Sequence, residues 1–348
     1  KDLITGEYVL PWVRLHGTKD YYDMIAILDA FPNIKLNFNL VPSLLVQVEE
    51  YVKGEARDKY LTLSLKDPAD LEFEEKIFIL QHFFMANWDT MIRIYPRYND
   101  LLLKRGRFVT IEEIKRIATR FTNSEFLDLQ VWFNLTWFGH IYRNNDPVIK
   151  ELIKKGKNFS NGDKKVLFEK QKEILSLIIP KYREAQKRGQ IEISISPFYH
   201  PILPLLCDTN SAKLALPKLS LPETRFKHPE DAEQQVSDAI SYYKEIFEGD
   251  PYGLWPSEGS VSEDIIPIVA KYGIKWIATD EDILTKSLGR DLQRRLSPSE
   301  LYRPYVIEKN GAKASIVFRD KFLSDQIGFV YWRWRESDAI SDIFTHFK

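Results

Sequence analysis

Gly253-Leu254-Trp255-Pro256-Ser257-Glu258-Gly259-Ser260 is a short apolar run that stops at a carboxylate. Sixteen residues after Glu258 comes Ile274-Lys275-Trp276-Ile277-Ala278, followed at once by Thr279-Asp280-Glu281-Asp282. Both runs read as strands that end in acidic residues. Between them, Ser262-Glu263-Asp264 supplies a cap and a negative first turn for a helix. Strand, turn, helix and strand make a parallel βα unit with a right-handed crossover. Reactive side chains in such sheets collect where the strands end, and Glu258 stands there with an indole three residues before it. A carboxylate beside an aromatic face suits chemistry on a sugar ring.

The same grammar extends outward. Asp231 to Phe247 places Val236, Ile240, Tyr243 and Phe247 on one helical face. Ile191 to Ser196 and Ala314 to Phe318 read as further strands. Near the start, Tyr8 to Arg14 reads as extended and Tyr21 to Phe31 as an amphipathic helix. Ile34 to Leu40 alternates at period two, and Ser43 is placed to cap the helix after it. From Leu44 to Arg188 the pattern is almost wholly helical; Asp163 is a candidate cap and Gly189 a stop for its last segment. That block is longer than a crossover helix requires. The pattern predicts an α/β fold, a barrel rather than a doubly wound sheet. It forms one catalytic domain over 1–348, with a large helical insertion at about 44–188.

Composition narrows the class. The chain has 348 residues, 44% of them hydrophobic, so it can bury a large core. Lys+Arg 49 against Asp+Glu 50 leaves no basic excess for nucleic acid. No run is apolar enough to span a membrane, and no signal peptide is evident. The single Cys207 forbids an intrachain disulfide, which points to the cytoplasm or to a secreted protein that does without disulfides. A charged fraction of 28% with three Met and one Cys leans toward a thermophile.

Strand-end acids are the candidate catalysts: Glu192, Glu258, Asp280 to Asp282, Asp320 and Asp325. Glycosidic cleavage needs two of them across the scissile bond. Glu258 gains weight from Trp255, and Asp320 from ending a strand directly. His200, in a loop straight after a strand, reads as a hydroxyl-binding group or a loop-bracing histidine. Arg14 and His16 read as binding residues or as a surface pair, and the remaining histidines as bland. No zinc motif, phosphate loop or nucleophile elbow occurs. Asp280, Glu281 and Asp282 have the chemistry for calcium, but adjacent acids at a loop start more often cap a helix, so no metal or cofactor is expected.

Several segments together resemble glycoside hydrolase family 57, in its α-amylase and amylopullulanase-like branch. Leu10-Pro11-Trp12-Val13-Arg14-Leu15-His16 resembles the stretch after that family's first motif, His-Gln-Pro. Gly189 to Ser194 resembles the second motif, with Tyr199-His200-Pro201 after it. Trp255-Pro256-Ser257-Glu258 resembles the third. Phe318-Arg319-Asp320, running on to Ser324-Asp325-Gln326-Ile327-Gly328-Phe329, resembles the fourth. The resemblance implies an incomplete (β/α)7 barrel and retaining cleavage of α-glucans, with Glu258 as nucleophile. Asp320 is favoured over Asp325 as acid/base because it ends the strand. Glu192 and Trp255 would grip the sugar beside the cleavage point, and Trp332 and Trp334 would line a neighbouring subsite. The His-Gln-Pro motif itself would fall just before Lys1, and a helical region would follow Lys348.

Three functions compete at this stage: a hydrolase on starch, glycogen, maltodextrin or pullulan; a 4-α-glucanotransferase on the same substrates; and a glucan-binding protein without turnover. A sugar deacetylase is disfavoured by the lack of metal-ligand spacing. The sequence does not set the oligomeric state.

Overall fold

The computed structural model describes residues 1–2, 4–292 and 296–347. It divides into two compact units, Lys1–Lys35 with Leu44–Gln190, and Leu36–Ser43 with Ile191–Lys348.

The first unit is helical. Its core gathers Phe83, Tyr98, Phe126, Trp132, Phe133 and Phe138, all essentially inaccessible. The helix Asn123–Leu135 lies in the middle of this core, buried on nearly every side. Thr122 and Glu125 start it with a reciprocal capping box. The long helix Asn161–Lys187 begins the same way: Ser160 is the cap, and the expected Asp163 is its partner one turn in.

The extended segment expected at Tyr8–Arg14 is a helix from Trp12 to His16, with only Tyr8 making a bridge, to Asp58. Burial decides the matter: Leu15 is sealed in the core and Arg14 is 2% exposed. Arg14 Nη1 donates to Asn134 Oδ1 at 2.6 Å and to Gln171 Oε1 at 3.0 Å, while its Nε lies 3.6 Å from Asp58 Oδ2. Tyr51 donates to the same Asp58 oxygen at 2.8 Å. Arg14 therefore braces three distant parts of the unit, and the expected role in substrate binding gives way to a structural one. Removing one partner of a buried ion pair leaves the other charge uncompensated. Asp58→Ala should cost about 3–5 kcal/mol, read as a lower urea midpoint.

The second unit is a mixed α/β sheet of β1 (Leu36–Leu40), β2 (Ile191–Ile195), β3 (Gly253–Leu254), β4 (Trp276–Asp280), β5 (Tyr305–Lys309) and β6 (Ala312–Arg319). Their order is β1-β2-β3-β4-β6-β5. β1, β2, β3, β4 and β6 run parallel, and β5 is an antiparallel edge on β6. Pro229–Phe247 packs on β2, and Ile265–Lys271 on β5 and β6. Ile193, Ile195, Leu254, Ile277 and Ile316 carry the buried face of the sheet.

The described residues hold six strands, and the last two form a hairpin that the parallel βα pattern did not include. Its turn is Asn310-Gly311, with φ of 53° and 81°, residue types that accept the positive φ of a tight two-residue hairpin loop. β3 is short and tightly seated, because a Cβ at Gly253 would run into the Trp276 indole. Among the described residues, no helix is long and apolar enough to cross a membrane.

Candidate active site

The parallel strands of the second unit deliver their C-terminal ends to one edge. After β3, Trp255 N–H donates to Ile195 O at 2.7 Å, which ties the loop to β2. The chain then turns sharply through Ser257–Gly259, where Glu258 takes the left-handed conformation (φ 57°, ψ 19°). The Thr279 hydroxyl, buried at the end of β4, donates to Gly259 O at 2.5 Å and pins the turn. The Glu258 carboxylate consequently stands up from the sheet, its side chain 75% exposed. His200 reaches it from the loop after β2, its Nε2 3.6 Å from Glu258 Oε1. His200 is left-handed too, with φ 59°. Two non-glycine residues at positive φ, facing each other, store strain of about 1–3 kcal/mol each.

Glu258 and His200 open on a cavity of about 510 Å³, lined also by Trp255, Asp280, Asp282, Arg319, Lys321 and Phe329. Its size is that of a small-ligand site. Every charged group here except Glu258 and His200 is spent in a cap or an ion pair. Asp280 accepts from Asp282 N at 2.9 Å and from Arg319 Nε at 2.8 Å. Lys321 Nζ holds Asp282 at 2.5 Å, and that bond raises the lysine pKa. Asp280 and Asp282 act in this way as a helix cap and ion-pair partners.

Asp320, the other strand-end carboxylate, turns elsewhere. Its Oδ1 caps the helix Lys321–Asp325 by accepting from Leu323 N at 2.9 Å, and its Oδ2 accepts from the Tyr302 hydroxyl. That hydrogen bond pushes the Tyr302 phenol up to about 12, so it remains a donor at any working pH. Asp320 lines a separate cavity of about 430 Å³. Asp325 ends the same short helix, with Oδ1 3.8 Å from Arg319 Nη2. Arg319 thus links Asp325 to Asp280 and to the rim of the Glu258 cavity.

Other expected contacts lie apart from this cluster. Glu192 is the second residue of β2, three positions before Ile195, and accepts from Trp276 Nε1 at 2.8 Å. Three residues of strand are about 10 Å, so Glu192 sits toward the opening end of the sheet and does not share Trp255's cavity. Trp332 and Trp334 are 55% and 42% exposed on a turn near the C-terminus. Neither lines the Glu258 cavity; Phe329 from the same segment does. His16 belongs to the helical unit, with Nδ1 2.6 Å from Asp20 Oδ2 and its ring among Trp12, Tyr21 and Trp137.

One contributor lies outside the sequence reading: Arg319 is the hub of the carboxylates. Away from the cavity lining, Asn39, near the end of β1, donates to Ser196 Oγ at 3.0 Å. Asn37 and Asn39 at alternate positions of a strand were a visible signal of a polar face.

A carboxylate, a histidine and an indole meet where parallel strands end, the edge at which α/β sheets carry their ligands. The chain belongs to glycosyl hydrolase family 57, whose model matches residues 2–348. Over 141 residues it is 27% identical to alpha-amylase 1 of Dictyoglomus thermophilum, a stretch covering 39% of this chain and 16% of that protein. Solved structures similar to it include the alpha-amylase AmyC of Thermotoga maritima, with TM-score 0.44 and 14% identity over 91% of this chain and 42% of that one. A branching enzyme of the family from Thermococcus kodakaraensis aligns with TM-score 0.47 and 14% identity over 92% of this chain and 45% of that one. A 4-alpha-glucanotransferase of Thermococcus litoralis aligns with TM-score 0.33 and 23% identity over 47% and 21%. The chain spans less than half the length of each of these relatives.

Proposed function

We propose that this chain is a retaining glycosidase of α-glucans, with Glu258 as nucleophile and Asp320 as acid/base. The observation that carries the reading is the posture of Glu258. Its carboxylate is the one acid of its cavity not spent on a cap or a cation, and it is raised on a pinned, strained turn beside the Trp255 indole. In the first step a Glu258 oxygen bonds to the anomeric carbon as the glycosidic C–O bond breaks, and the acid gives its proton to the leaving oxygen. In the second step the same group takes a proton from the incoming hydroxyl, and the ester bond to Glu258 breaks. His200 Nε2 is placed to orient the nucleophile, and Trp255 to stack on the sugar. The incomplete (β/α)7 barrel belongs to this reading, with β1, β2, β3, β4 and β6 as its parallel strands.

Product analysis on maltoheptaose and pullulan tests it. Shorter oligosaccharides alone mean hydrolysis. Shorter and longer ones together mean glucan transfer. Maltotriose from pullulan adds α-1,6 cleavage. A protein that binds maltoheptaose and forms no product beyond Glu258→Gln would overturn the reading in favour of a binding role.

A further inference from the structure

Ser257-Glu258-Gly259-Ser260 is a type I′ turn. Ser260 N donates to Ser257 O at 3.0 Å, and both central residues take positive φ, 57° at Glu258 and 65° at Gly259. Such turns favour glycine, asparagine or aspartate at the first central position; a glutamate there has no local reason to adopt the shape. Contacts from outside the turn must therefore hold it. At its entry, Trp255 N donates to Ile195 O of β2. At its exit, the Thr279 hydroxyl of β4 donates to Gly259 O.

We propose that Thr279 is a positioning residue for the nucleophile. By holding the Gly259 carbonyl, its hydroxyl keeps the Glu258 carboxylate aimed at the anomeric carbon. The inference rests on the assignment of Glu258 above.

The surroundings of Thr279 suit that task. It is fully buried, and its backbone is fixed by pairing with Phe318 of β6. Its branched side chain is stiff, so the hydroxyl is held in place. A Cβ on Gly259 would lie 3.7 Å from the Thr279 hydroxyl oxygen and 3.6 Å from the Trp255 ring, so both side chains lie against the turn. Being sealed from solvent, Thr279 acts on a sugar only through that turn. Without the hydroxyl, the turn keeps its tie to β2 and loses this one to β4. Glu258 is then free to relax toward negative φ, which swings its carboxylate away. A misplacement of about 1 Å lowers a rate by about 10²-fold.

Thr279→Val tests this, because it keeps the branched shape and removes the donor. Its kcat should fall about tenfold to a hundredfold, by the same factor on maltoheptaose and on α-maltosyl fluoride, since both need attack by Glu258. The Kd for maltoheptaose should stay within about threefold and the binding stoichiometry unchanged, so the loss is not one of folded protein. Thr279→Ser keeps the hydroxyl and should stay within about threefold of wild-type kcat. If the valine variant does not fold, Thr279→Ala, which lets water reach the Gly259 carbonyl, carries the same expectation. Wild-type kcat without the hydroxyl, a serine variant as impaired as the valine one, or joint loss of kcat and binding would overturn the positioning role while the wild-type activity stands. Failure of the wild type to release fluoride faster than Glu258→Gln would instead remove the catalytic reading and this inference with it.

Discussion

Glu258→Gln should reduce glucan turnover by on the order of 10⁴-fold or more, while maltoheptaose binding stays within a few-fold of wild type. The amide keeps the size and shape of the carboxylate but cannot form the glycosyl ester. The wild-type turn already takes φ 57° at this position, so the exchange adds no backbone strain. Steady-state kinetics and a binding titration read the two effects separately. A variant that retains more than about a tenth of wild-type kcat would move the nucleophile elsewhere.

The second large effect separates the two aspartates. Asp320→Asn should lower kcat on maltoheptaose by about 10²–10⁴-fold, the range for a lost general acid. On α-maltosyl fluoride the first step needs little proton donation, so it should survive. The second step still lacks its base, so fluoride should appear as a burst followed by a slow phase. Asp325→Asn should show no burst and fall by less than about tenfold, because its carboxylate reaches the site through its cationic neighbours Arg319 and Lys321. If the burst belongs to Asp325→Asn instead, the acid/base role passes to that residue.

The βα order was legible because strands ending in acids and capped amphipathic helices are local signals. β2, β4 and β6 appear within two residues of the runs that predicted them. The hairpin of β5 was legible as well, in Asn310-Gly311 between alternating residues, although attention to the parallel pattern passed over it. The helix at Trp12 was not. Five residues do not distinguish a period of two from one of 3.6, and burial against Asn134 and Gln171, more than a hundred positions away, settled it. In the site, the position of Glu258 was readable from its motif, whereas the posture of Asp320 depends on Tyr302, eighteen residues earlier in the chain. Arg319 was hidden for the same reason: an arginine at a strand end gives no hint of which carboxylates will gather on it.

The ends of β4 and β6 serve two cavities at once: Asp280, Asp282, Arg319 and Lys321 line one, and Glu281 and Asp320 the other. The two walls are fastened to each other, because Lys321 N donates to Glu281 while its Nζ holds Asp282. A shift of the chain at Lys321 therefore moves both together, as a hinge pin carries two leaves.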